Sequence, residues 1–108
     1  MSVLDNLLKL HAQGRDDVLL RFSLGNEYLK VEQFAEAAQH LRAALQHDPK
    51  YSAAWKLLGK ALAADGLPAE ASEAFERGIE VAEGRGDIQA AKEMRVFLKR
   101  AKKALGEA

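Results

Sequence analysis

Shifted by 34 positions, this chain of 108 residues lies over itself. Leu24 and Gly25 fall on Leu58 and Gly59, Ala37 on Ala71, Leu41 on Phe75 and Ala44 on Gly78. A period of that length, with small and large apolar residues returning in the same places, is the signature of helical hairpins stacked in a row. One hairpin buries little, so each unit needs small residues where its two helices cross and large ones that fill the space to the next unit. Gly25, Gly59, Ala37 and Ala71 are the expected crossing points. Tyr28, Trp55, Leu41 and Phe75 are the expected fillers, with Trp55 largely buried.

Within a unit, Leu20, Leu24 and Tyr28, then Phe34, Ala38, Leu41 and Leu45, recur at three- and four-residue steps, which implies helices of roughly 14 residues. Asp65-Gly66-Leu67-Pro68 reads as a glycine stop followed by a proline in the next first turn, and His47-Asp48-Pro49 ends one hairpin before Ser52 caps the next. Abundant Ala, Leu, Glu and Lys, only two prolines and no strand-like alternation point to an all-α fold without a sheet. Lacking cysteine, the chain has no disulfide framework and no thiolate nucleophile, and without a basic-plus-apolar leader its expected location is cytoplasmic. Its apolar runs fall far short of the roughly 20 residues that cross a bilayer, so no membrane partner is expected.

From Val18 to Tyr51 the chain carries Leu24-Gly25, Tyr28, Ala37, Leu41, Ala44 and Pro49; from Ser52 to Arg85 it carries Trp55, Leu58-Gly59, Ala71 and Phe75. In these positions it resembles the tetratricopeptide repeat family, whose pattern runs W-x2-L-G-x2-Y…A-x3-F…P. It departs with Arg21 at the first tryptophan, and with Leu62, Gly78 and Glu83 at the tyrosine, second alanine and closing proline of the second unit. The resemblance implies one domain over 1–108, a short right-handed α-solenoid of antiparallel hairpins. Its expected parts are a closing helix over 1–13, repeats over 17–50 and 51–85, and a capping helix over 86–106.

The two ends read differently from the middle. Ile88, Ala91, Met94, Leu98, Ala101 and Leu105 form an amphipathic stripe with Phe97 beside it, a capping helix that aligns to the repeats with about two extra residues in the preceding loop. Val3, Leu7 and Leu10 lie in phase with second-helix positions, as if the chain began halfway through a repeat. The helix near 2–12 is expected to close the array on the first hairpin, while Leu4 and Leu8 offer an alternative self-association surface. A monomer is favoured over a homodimer.

The resemblance also implies that the first helix of each hairpin lines a concave face that binds a protein or peptide. The matching positions are Leu19, Phe22, Asn26, Leu29 and Lys30, then Ala53, Lys56, Lys60, Ala63 and Ala64, then Gln89, Lys92, Val96, Lys99 and Arg100. Such a face is apolar at one end and basic at the other, which suits an acidic, partly apolar segment. A solvated face with lysine stems lying over apolar surface is the other reading. Some members of the family clamp a chain-terminal carboxylate with Lys, Asn and Arg; Asn26 matches one such position, but Phe22, Leu57, Gln89 and Glu93 replace the others, so that clamp is not expected.

Formal net charge is zero, which argues against a general nucleic-acid binder, yet the charge is unevenly placed. Glu70, Glu73, Glu76 and Glu80 stand against Arg77, whereas Lys92, Arg95, Lys99, Arg100 and Lys102 stand against Asp87 and Glu93. Either the two helices neutralise each other along a shared edge, or some of the basic residues meet an acidic partner. Nucleic-acid binding through the last helix is disfavoured, since only Phe97 could stack on a base and the acidic helix would repel phosphate. His40 and His47 share a helix face but lie two turns apart, too far to chelate one metal, and Asp16-Asp17 reads as the acidic start of a helix. With no phosphate loop, activated nucleophile or H-E-x-x-H motif, the expected function is a non-catalytic adaptor without cofactor or metal. Circular dichroism should be strongly helical, and deleting residues 86–106 should lower the thermal midpoint; a sheet-rich spectrum would refute this reading.

Overall fold

The computed structural model describes residues 1–106, which form six helices and no strand. In order they are α1 (Val3–Ala12), α2 (Val18–Lys30), α3 (Phe34–His47), α4 (Ser52–Ala64), α5 (Pro68–Gly84) and α6 (Ile88–Ala104). Most boundaries have a local cause. Ser2 and Asp5 form a reciprocal capping box at the start of α1. Asp17 caps α2 by accepting from the Leu20 N–H at 2.8 Å, and Asp87 caps α6 through Ala90 at 3.2 Å. Gly66 and Gly86, with φ of 77° and 74°, follow α4 and α5 in the left-handed region that a side chain would strain. Pro68 opens α5, where its missing N–H removes no helical bond. Ser52 is not the cap of α4: Asp48 accepts from the Lys50 N–H at 3.0 Å, tightening the turn so that Tyr51 holds the cap position and Ser52 is already helical.

Consecutive helices pack on one another in chain order, and the array measures 46 by 29 by 19 Å. The first helices of the hairpins meet in succession, α2 against α4 and α4 against α6, whereas α3 and α5 have no Cα atoms within 8 Å of each other. Close packing on one side and splaying on the other curve the array, with α2, α4 and α6 on the inside. Arg42 and Glu70 bridge the splayed side at 3.3 Å, over an outer wedge of about 370 Å³ whose floor is Trp55, Leu58 and Leu62 of α4.

Glycines set the spacing. A Cβ on Gly25 would lie 2.5 Å from Leu41 Cγ, and one on Gly59 would strike the Phe75 ring. Leu41 and Phe75 are thus seated on the glycine of their own hairpin, and Phe75 also stacks on Phe97 of α6 at 5.6 Å. Gly78 repeats the device between units: a Cβ there would meet Met94 of α6 and stand 2.7 Å from Trp55 Cβ. The contact of α6 with α5 is as extensive as that between the two helices of a hairpin, and more extensive than that of α4 with α3.

Burial bears on three expectations. Trp55 packs partly buried against the core, and its indole flanks the outer wedge, where Nε1 donates to the Pro49 carbonyl at 2.8 Å. In α6, Ala91, Met94 and Ala101 are buried, but Ile88 and Leu105, the first residue and the C-cap of the helix, are exposed at its two ends. The helix α1 packs on α2 of the first hairpin, with none of its residues fully buried and Val3 60% exposed.

Gly59→Ala and Gly78→Ala should each cost about 1–3 kcal/mol through overpacking, despite alanine's better helix propensity. Gly84→Ala, which meets nothing within 4 Å, should be neutral or stabilising by about 0.4–1 kcal/mol. Urea denaturation of the three variants checks the contrast, and equal midpoints for all three would refute the notch.

Candidate functional site

The curvature places α2, α4 and α6 side by side, and their exposed residues form the concave face. At its α2 end Leu19 is 60% exposed, while Phe22, Asn26 and Leu29 are half-buried. Phe22 stacks on Tyr51 at 4.7 Å, which ties α2 to the start of α4, and Lys30 pairs with Glu27 at 2.8 Å. This end is therefore apolar and nearly neutral.

The α4 and α6 half carries the charge. Lys56 is neutralised by Glu93, 3.2 Å away across the two helices. Lys60, Lys92, Lys99 and Arg100 are exposed and have no carboxylate within ion-pair distance among the described residues. Val96, 51% exposed, sits among them on α6. Only one ion pair joins the acidic α5 to the basic α6, Arg95 with Glu83, so the two helices do not neutralise each other along their length.

Between the C-terminal halves of α4 and α6 the concave face deepens into a cleft of about 480 Å³. Its walls are small, Ala63 on one side and Ala101 and Ala104 on the other, and Phe75 and Phe97 give it an aromatic lining. Lys60 Nζ lies 5.3 Å and the Arg100 guanidinium 5.6 Å from the centre of the Phe97 ring. Sequence reasoning places Lys60, Ala63 and Arg100 on this face; it misses Phe97, which the stripe pattern assigns to the flank of a capping helix.

A second polar constellation lies at the other end. Arg21, where the repeat pattern has tryptophan, donates to both oxygens of Asp16 at 2.8 and 3.1 Å and to His40 Nδ1 at 2.9 Å. Asp16 also meets His47 Nε2 at 3.0 Å. His40 is buried, stacked on Tyr28 at 5.4 Å and edge-on to His11 at 5.9 Å. Asp16 thus serves as the partner of Arg21 and His47, and Asp17 alone starts the helix. The network ties α1, the following loop, α2 and α3 together. Among the described residues no three His, Cys, Asp or Glu side chains come close enough to hold a metal ion.

The tetratricopeptide repeat family model matches residues 28–94. The chain is 48% identical over 102 residues to a TPR repeat-containing protein of Pseudomonas aeruginosa, PA0015, covering 94% of this chain and 97% of that protein. It is similar to the solution structure of protein BPP2914 from Bordetella parapertussis, with a TM-score of 0.83, 48% identity, and 95% and 90% of the two chains covered. It is also similar to a tetratricopeptide repeat domain protein from Salinibacter ruber, with a TM-score of 0.73, 25% identity, and 82% and 89% covered.

The Arg21 network titrates. Arginine only donates, so His40 Nδ1 must accept and the neutral ring carries its proton on Nε2. Burial first, then the Arg21 charge and His11, hold the His40 pKa below its ordinary value of 6.5, with Asp16 opposing. Between the folded and unfolded values the unfolded chain binds the extra proton, so the His40 contribution is complete above about pH 6.5 and is lost as pH falls. The Asp16 carboxyl, held low by hydrogen bonds from Arg21 and His47, adds stability above about pH 3.8 that is lost on further acidification. The thermal midpoint should therefore fall between pH 7 and 5. In His40→Gln, which keeps an acceptor for Arg21 but takes up no proton, that fall should shrink; an unchanged pH profile would refute the assignment.

Proposed function

This chain belongs to the tetratricopeptide repeat family, and we propose that it is a non-catalytic adaptor whose concave groove holds an acidic, partly apolar segment of a partner protein. The observation that carries this reading is the set of exposed cations without carboxylate partners among the described residues, Lys60 on α4 and Lys92, Lys99 and Arg100 on α6. Positive charges gathered on a concave surface reinforce one another's potential and raise the rate at which an anionic segment arrives. Apolar groups, Val96 and Phe97 beside them on α6 and Leu19, Phe22 and Leu29 toward the α2 end, supply contacts that slow its departure. Lys56 takes a lesser part than its position suggests, since Glu93 already neutralises it. Monomeric action in the cytoplasm, with 17–50 and 51–85 as the two repeats of one domain, completes the proposal.

A second reading rests on the exposed apolar edge of α1, where Val3 and Leu10 stand open beside the half-buried Leu4 and Leu8. Two copies meeting there would make the chain a self-associating subunit of a larger complex. Sedimentation separates this reading from the first.

The groove is tested by affinity capture from the source lysate, followed by titration of the captured partner. So few repeats bury little surface, so micromolar affinity is expected, about 8 kcal/mol. Lys60→Glu/Lys99→Glu should weaken binding by roughly tenfold or more and flatten its salt dependence, because the lost attraction is one that salt screens. Arg77→Glu, on the outer helix α5, should leave it unchanged. Wild-type affinity in the double variant at low salt would overturn the groove reading.

A further inference from the structure

We infer that the cleft between α4 and α6 is an anchor site for one bulky apolar side chain of the partner, and that Lys60 and Arg100 hold acidic residues immediately beside that side chain. The inference rests on the groove reading above and gives it a specificity.

Its first support is the shape of the cleft. A volume of about 480 Å³ lies in the range of sites that enclose an organic group, and its lining is largely apolar. The space exists because alanines face each other across it, Ala63 from α4 and Ala101 and Ala104 from α6, where larger residues would close it. Phe75, itself fully buried, and Phe97, stacked on it, make the lining rigid and aromatic. A leucine or phenylalanine side chain entering there would leave water for apolar surface without forcing any core residue to move.

Its second support is charge. Lys60 and Arg100 both lie over the Phe97 ring, and neither has an acidic partner among the described residues. Two like charges drawn to one ring repel each other, and the ring offsets only part of that repulsion. A carboxylate between or beside them relieves it. The complementary occupant is an internal peptide segment in which an aromatic or branched aliphatic residue is flanked by aspartate or glutamate. A purely acidic segment would leave the cleft unfilled, and a purely apolar one would leave the cations unpaired.

The test uses the isotope-labelled full chain and three short peptides, each acetylated and amidated so that no terminal charge takes part. One has phenylalanine between two aspartates, the second has alanine between two aspartates, and the third has phenylalanine between two lysines. The inference expects the first peptide to shift the resonances of Ala63, Ala101, Ala104 and Phe97 and to bind about tenfold tighter than the second, with no shift from the third. Ala63→Trp, which fills the cleft from an exposed position, should abolish the difference between the first two peptides; Ala104→Trp serves the same end if the first variant does not fold.

Equal binding of the phenylalanine and alanine peptides, with shifts confined to Lys92 and Lys99, would overturn the anchor site while leaving the basic groove intact. Shifts nowhere on α4 or α6 with any acidic peptide would remove both. Equal shifts from the lysine-flanked peptide would show an apolar pocket without charge selection and overturn the inference. Concentration-dependent shifts at the cleft without peptide would assign it to a second copy of the chain, with the same consequence.

Discussion

Three large side chains seated on three glycines determine how closely the helices approach, and the rest of the molecule follows from that distance. Leu41 sits on Gly25, Phe75 on Gly59 and Met94 on Gly78, each 16 positions after its glycine. The first two pairs close hairpins, whereas the third draws a helix of one unit onto the last helix of the unit before it. A methyl group in any of these notches would force apart surfaces packed at the density of an organic crystal. The α6 helix is therefore held in place by a hairpin-type contact although no hairpin partner among the described residues follows it.

The same seating shapes the concave face. Drawn onto α5 by Met94, α6 presents Phe97 and Arg100 toward α4, where small side chains leave the cleft open. Toward the other end, Phe22 stacked on Tyr51 fills space between α2 and α4. The contrast between a filled apolar end and an open, cationic end comes from a few side-chain volumes on one repeated frame. Charge is layered onto that frame by exposed residues that packing does not fix, among them Lys60, Lys92 and Lys99.

The 34-residue period made the hairpins, the breaks at Gly66-Leu67-Pro68 and the small residues at the crossings readable, because backbone geometry and burial repeat with it. What escaped depends on relations that the period does not carry. Gly78 reads as a defect until Met94, 16 positions on, is found seated on it. Lys56 reads as a free cation because its partner Glu93 lies 37 residues away on another helix. The wedge beside Trp55 follows from the splay of α3 and α5, a property of two helices that do not touch. Arg21 reads as a lapse from the pattern, yet the position holds a different solution, in which an arginine is satisfied by Asp16 and His40 where an indole would otherwise pack.

The outer wedge gives this array a mechanical character. Its inner side is a continuous line of packed helices, while its outer side is spanned between α3 and α5 by long side chains, of which Arg42 and Glu70 form an exposed pair worth about 0.2–1 kcal/mol. Bending that widens or narrows the wedge disturbs that weak tie and some solvent, but no buried notch. A change of curvature is therefore opposed on the outer side by that exposed pair and not by helix packing, since α3 and α5 do not meet.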